Sequence, residues 1–272
     1  MFDGLNETTV RFGVFVAVFA ALALIELARP RRRLTAAKSG RWFANLAIVG
    51  IDGVVVRAMA LLAVPLAGSA AAVFAASHGV GLLNWIELPV WLSVCVAIAA
   101  LDLAIWLQHF ATHKIPLLWR LHQVHHADVD IDVSTAIRFH PIEIALSVLW
   151  RMVCVLVLGA PVAAVIGFEI LLNASAMFSH ANIALPVPAD RILRRVIVTP
   201  DMHRVHHSVL HREHDRNYGF NLSVWDRIFG TYLAEPEKGH ENMTIGLKAY
   251  QSLEPTRLSW CLALPFRRIH ED

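Results

Sequence analysis

The 272-residue chain is poor in cysteine and poor in charge. Its three cysteines (Cys95, Cys154 and Cys261) stand far apart with no C-x-x-C pair. That spacing excludes a disulfide framework and a thiolate metal site, and Cys95 and Cys154 read as inert residues of apolar runs. Charged residues make up 17% and hydrophobic residues 56%. Soluble domains carry about 25% charge, so a soluble globule is excluded, and the same hydrophobicity excludes disorder. No internal repeat or low-complexity linker is present. The residues ahead of the first apolar run bring Asp3, Glu7 and Arg11 rather than the basic stretch of a cleaved signal.

What is present is a set of long apolar runs, and the fold class they predict is an all-α polytopic membrane bundle of about four or five helices or half-helices. Val10 to Ala28 is a first span, close to the length needed to cross roughly 30 Å of hydrocarbon. The following Arg29–Arg41 segment carries Arg29, Arg31, Arg32, Arg33, Lys38 and Arg41 without an acid, which makes it cytoplasmic and puts the N-terminus outside. A second span is expected over about 43–66, with a re-entrant or interfacial continuation to Ser77. It contains Asp52 and Arg57, ionisable residues at membrane depth. The third covers 88–108, with Trp85 and Trp91 as an interfacial belt. Residues 142–180 divide at Gly159-Ala160-Pro161 into two halves that either cross or re-enter. Parity then makes 109–140 and 180–272 cytoplasmic. Residues 181–272 hold 23 of the 46 charged residues, as befits a segment in water. Within it, 190–198 reads as a basic amphipathic helix on a membrane surface, and 257–268 as a second candidate.

The fifteen histidines are unevenly placed: twelve lie between His109 and His214. His109 and His113 are an i, i+4 pair. His122, His125 and His126 form one H-x-x-H-H cluster, and His203, His206 and His207 another. Residues three and four apart share a helix face, so each cluster is expected to present its rings on one side. Rings this close cannot all be charged, and neutral imidazole is a good ligand for zinc, copper, iron or nickel. Together with His180 the clusters supply nine donors, enough for two ions with four or five histidines each. Asp102 and Asp201 are candidate partners for ligand histidines. His140 and His214 are possible further ligands, and His211 stands near the third cluster. His78, His240 and His270 read as surface residues.

The segments LDLAIWLQHFATH (101–113), LWRLHQVHHADVDIDVSTAIRFHPIE (118–143), TPDMHRVHHS (199–208) and YGFNLSVWDRIFGTY (218–232) resemble the fatty acid hydroxylase superfamily, which includes the sterol desaturases. The resemblance implies an integral-membrane non-haem di-iron oxidoreductase. Such an enzyme uses O2 and two external electrons to hydroxylate or desaturate a lipid. It also implies ligands at His109, His113, His122, His125, His126, His180, His203, His206 and His207. Some members carry a further histidine where this chain has Ala176, so a tenth ligand is absent or comes from elsewhere. The implied organisation is N-terminal membrane helices over 1–100, a di-iron domain over 101–232 and a cytoplasmic tail over 233–272. Expected partners are a bilayer lipid and a separate electron donor of ferredoxin or cytochrome type with its reductase; a nucleic-acid partner is not expected. Two other readings of the histidines exist. One is a metal transporter or sensor, disfavoured because transporter sites lie near the midplane. The other is a haem carrier, which leaves most of the histidines unexplained.

Overall fold

A computed structural model describes residues 7–62 and 68–267. The described residues form an all-α membrane bundle with only isolated β-bridges. Five helices are long and apolar enough to cross a membrane: α1 (Glu7–Ala28), α2 (Lys38–Leu62), α4 (Val90–Lys114), α6 (Pro141–Leu158) and α7 (Val162–His180). The short α3 (Ser69–His78) is the continuation expected after the second span. The connection between the two is outside the described residues. Beyond α4 lie α5 (Pro116–His126) and, after α7, α8 (Val187–Leu193) and α9 (Pro200–His206).

Each boundary has a local cause. Proline, whose fixed φ suits a first turn, opens α5, α6 and α9. Gly159 ends α6 in the left-handed conformation, φ 67°, and Pro161 then caps α7, which closes the hairpin. The bundle core is aliphatic: Leu101 and Ile105 of α4 pack with Val155 of α6 and Val165 and Phe168 of α7. Outward residues such as Phe12, Leu27, Trp85 and Trp91 are exposed, as lipid-facing and interfacial positions should be.

Polar contacts tie the helix ends together. Arg41, one turn into α2, is fully buried. It donates to both carboxylate oxygens of Asp128 (2.6 and 2.8 Å) and to Asp132 (2.7 Å). Burial alone would raise the Asp128 carboxyl, but the Arg41 guanidinium overrides it and holds that pKa at about 2. Asp130 accepts the amides of Thr35 and Ala36. Glu26, at the end of α1, accepts the amides of Val133 (2.7 Å) and Asn182 (2.8 Å). Arg138 reaches the Val124 and Pro255 carbonyls and the Asn45 side chain. The loop 128–138 is thereby fixed against α1, α2 and the chain's C-terminal segment.

The two amphipathic segments expected at 190–198 and 257–268 diverge. Around α8, Ile192 and Val196 are 65% and 60% exposed while Arg194 is buried against Asp190, an apolar surface beside Arg191 and Arg195. Residues 257–267 instead turn Trp260, Cys261 and Leu264 inward onto Ile48 and Val124, so this segment is covered by protein rather than by a membrane surface.

The tightest backbone approach joins the loop after α3 to the α6–α7 hairpin. A Cβ at Gly81 (φ 97°) would stand 2.2 Å from the Gly159 nitrogen and 2.5 Å from the Leu156 carbonyl oxygen. Gly81→Ala should therefore destabilise the detergent-solubilised protein by roughly 2 kcal/mol or more. Gly50→Ala, with nothing within 4 Å and a helical backbone, should be neutral or stabilising by up to about 1 kcal/mol. Thermal unfolding of the two variants checks both.

Candidate metal centre

The nine histidines named in the sequence converge, in two groups. His109 and His113 of α4, His122 and His126 of α5 and His206 of α9 form one; within it one ring nitrogen from each lies within 4.8 Å of every other. His125, His180, His203 and His207 form the second under the same limit. The expectation that each H-x-x-H-H cluster faces one way is corrected here. Adjacent helical residues are rotated by about 100°, so His125 and His126 aim at different centres. The same holds for His206 and His207, which makes α5 and α9 each contribute to both groups.

The ring orientations are set from behind. His109 Nδ1 stands 2.7 Å from the Tyr218 carbonyl, His206 Nδ1 2.7 Å from that of Arg216 and His180 Nδ1 2.7 Å from that of Ala176. A carbonyl only accepts, so each Nδ1 carries the proton and each Nε2 is left as a bare lone pair. His122 Nδ1 lies 2.6 Å from Glu143 Oε1. In the four-histidine group, His180 Nε2 lies 3.1 Å from His125 Nε2 and 3.0 Å from His203 Nε2, and His203 Nε2 lies 3.3 Å from His207 Nε2. In the five-histidine group, the Nε2 atoms of His109, His113, His122, His126 and His206 are buried with no hydrogen-bond partner.

Lone pairs aimed at one another are repulsive unless a cation lies between them. Nitrogens bound to one ion at about 2.0–2.1 Å stand roughly 3.0–3.4 Å apart, and the observed separations match. The donor set fits first-row transition ions, iron among them. Outside the membrane spans, burial lowers the pKa of His125, His126, His203, His206 and His207 well below 6.5, and the neighbouring imidazoles lower it further.

Asp102 does not meet a ring nitrogen. It accepts from Asn221 Nδ2 (2.7 Å), the Leu222 amide and Trp225 Nε1 (2.8 Å). Asp226 beside it accepts from Trp106 Nε1 and from the amides of Tyr218 and Gly219. These two acids hold the turn whose carbonyls orient His109 and His206, so Asp102 acts at one remove. Asp201 likewise misses the rings, because Arg31 and Arg204 occupy its carboxylate. Two acids do approach cluster histidines, Glu143 at His122 and Asp215, whose Oδ1 stands 3.5 Å from His113 Nδ1. Neither is singled out from the sequence; for Glu143 a signal exists. Its position one turn into a helix that follows the second cluster was the available signal.

His140 caps α6, taking the Ile142 amide on Nδ1, and lies outside both groups. His214 borders the first group: it falls with His113 and Asp215 in a further cluster, its ring stacked on Trp119. His211 is exposed and His78 stacks on Phe74. His240 is buried against Glu235 and Asp201, not on the surface, and His270 is outside the described residues.

A cavity of about 590 Å³ runs from this centre into the membrane-spanning region. His109, His122 and Glu143 stand in its wall together with Phe15, Ile105 and Phe139, whereas the four-histidine group does not line it.

The chain belongs to the fatty acid hydroxylase family, which it matches over residues 94–231. It is 26% identical over 237 residues to ornithine lipid hydroxylase OlsE of Rhizobium tropici, covering 85% of this chain and 70% of that one. It is 30% and 32% identical to the alkylglycerol monooxygenases of Homo sapiens and Danio rerio over 58% and 57% of this chain. Both matches cover 34% of those proteins, so the chain spans about a third of their length. No solved structure matches.

Two outcomes test the centre. The unfolded chain binds protons on these histidines below about pH 6.5 and the metal-free fold does not, so apo-protein stability should fall as pH drops from 7 to 5.5. Each affected histidine contributes at most about 1.4 kcal/mol per pH unit; melting of chelator-stripped protein at stepped pH measures it. Glu143→Gln should weaken metal binding by about 10- to 100-fold, read by competition with a chelating dye.

Proposed function

We propose that this integral-membrane protein is an O2-dependent di-iron oxidoreductase that hydroxylates a membrane lipid. The observation that carries the reading is the convergence of unpaired imidazole nitrogens, in two buried groups, at the wall of an apolar cavity. His109, His113, His122, His126 and His206 would hold one iron, and His125, His180, His203 and His207 the other. Residues 101–232 form the metal-bearing part between the membrane helices of 1–100 and the tail of 233–272. Iron bound there supplies O2 activation, with two electrons from a separate ferredoxin- or cytochrome-type donor and its reductase.

The chain's own residues do the rest. The cavity wall, apolar at Phe15, Ile105 and Phe139, accepts a hydrocarbon chain and excludes water from it. The carbonyls of Tyr218, Arg216 and Ala176 and the Glu143 carboxylate fix the tautomer and direction of four ligand rings. The basic segment 29–41 puts the histidine groups and the C-terminal tail on the cytoplasmic side, the N-terminus outside. Relatives named as an ornithine lipid hydroxylase and as alkylglycerol monooxygenases favour hydroxylation over desaturation and a polar lipid over a hydrocarbon. A metal transporter fits less well, because every donor nitrogen turns inward to one buried centre and none marks a path across the bundle.

Lipid mass spectrometry of expressing cells under 18O2 should reveal one lipid class gaining a single 18O atom, and purified protein should hold about two irons per chain. His206→Ala should abolish that product while the membrane fraction of the protein is unchanged. Iron well below one per chain with activity supported by another metal would overturn the di-iron assignment.

A further inference from the structure

The cavity is not wholly apolar: besides His109, His122 and Glu143, its lining includes Asp52, Arg57 and Arg151. Asp52, in the middle of α2, is 5% exposed, lines the cavity and leaves its Oδ1 buried without a hydrogen-bond partner. Arg57 and Arg151 line the same cavity. Arg151 keeps a buried Nε with no partner, and its Nη1 stands 3.8 Å from Glu169. A buried carboxyl oxygen and a buried guanidinium nitrogen, each without a hydrogen-bond partner, therefore belong to side chains that line one volume at membrane depth. Ionisable residues at that depth are costly, and a hydrocarbon chain alone would leave both kinds unpaired.

We infer that Asp52, with Arg57 and Arg151, is a polar anchor for a lipid whose headgroup-proximal part carries a hydrogen-bond donor beside an acceptor. An amide N–H or a hydroxyl next to a carbonyl is such a group. The donor meets Asp52 and the acceptor meets the guanidinium groups. A free fatty acid satisfies the arginines but brings the unpartnered Asp52 oxygen no hydrogen-bond donor. A simple ester offers no donor at all. The inference rests on the cavity being the lipid site of the proposed hydroxylase, and it adds what fixes the lipid in it. With the polar group held at Asp52, the carbon that reaches His109 and His122 is set by its distance along the chain from that group. Asp52 is thus a positioning residue that governs both selectivity and the site of oxidation.

The test uses the iron-loaded full chain in nanodiscs, with binding read by native mass spectrometry. The probes are N-hexadecanoylethanolamine, methyl hexadecanoate and hexadecanoate. The native protein should bind the ethanolamide at least about tenfold more tightly than the other two, the discrimination expected from leaving one buried acceptor unpaired. Asp52→Leu should erase that preference while leaving ester binding within about twofold and iron content unchanged. Should iron content show that Asp52→Leu has not folded, Asp52→Ala, which also removes the acceptor, carries the test in the same direction. Equal binding of ethanolamide and ester by the native protein, tighter binding of hexadecanoate, or an unchanged preference in the variants would overturn the anchor. Binding needs no turnover, so the two readings fail separately. Asp52-dependent selectivity in a chain that oxidises no lipid would sink the hydroxylase and leave the anchor standing. Lipid oxidation without such selectivity would sink the anchor alone.

Discussion

Buried imidazole nitrogens brought face to face within 3.0–3.3 Å are the constraint on which the molecule turns. Burial and their mutual repulsion keep the rings uncharged. The fold must hold them there by other means until a cation does. Everything around the centre supplies that restraint. Carbonyls and one carboxylate grip the outer nitrogens of His109, His122, His180 and His206, which fixes the direction of those four rings.

The restraint is layered. Behind the rings stands the turn 216–220, whose carbonyls are aimed because Asp226 holds the Tyr218 and Gly219 amides. Behind that turn stands α4, where Trp106 bonds Asp226 and Asp102 receives Trp225. On the other side the Arg41 clamp on Asp128 and Asp132 fixes the loop that follows α5, and with it the end of the helix bearing His125 and His126. Breaking one partner of so buried a pair typically costs about 3–5 kcal/mol, so the loop is pinned far more firmly than an exposed ion pair could manage.

Much of this was legible in the sequence. Five apolar runs announced the spans, because bilayer thickness sets a length that composition alone satisfies. The break at Gly159-Ala160-Pro161 fell where α6 and α7 part. Histidine spacing named eight members of the two groups, and the ninth, His180, came from its place at the end of the last span and from the family resemblance. Their division was hidden, since spacing gives shared faces but not which neighbouring helix each face will meet. The start of α2 at Lys38, earlier than hydropathy suggests, was hidden because Arg41 is buried only by virtue of acids some ninety positions later. The aiming carbonyls were invisible because backbone acceptors leave no mark on residue type, and Glu143 left only the signal of its place in the first turn of α6. The burial of His240 and of 257–267 arises from tertiary contact that an amphipathic pattern does not distinguish from a membrane surface.

The two groups share a dependence on α9 that bears on how the protein is made. The first group lacks His206, and the second lacks His203 and His207, until the chain has been synthesised past every membrane-crossing helix. Chains emerge and fold from the N-terminus onward, so the bundle and its cavity are laid down first. In the proposed enzyme, iron would find its complete ligand set only afterwards, and metal capture would be a closing event of biogenesis, timed by the order of the elements along the chain.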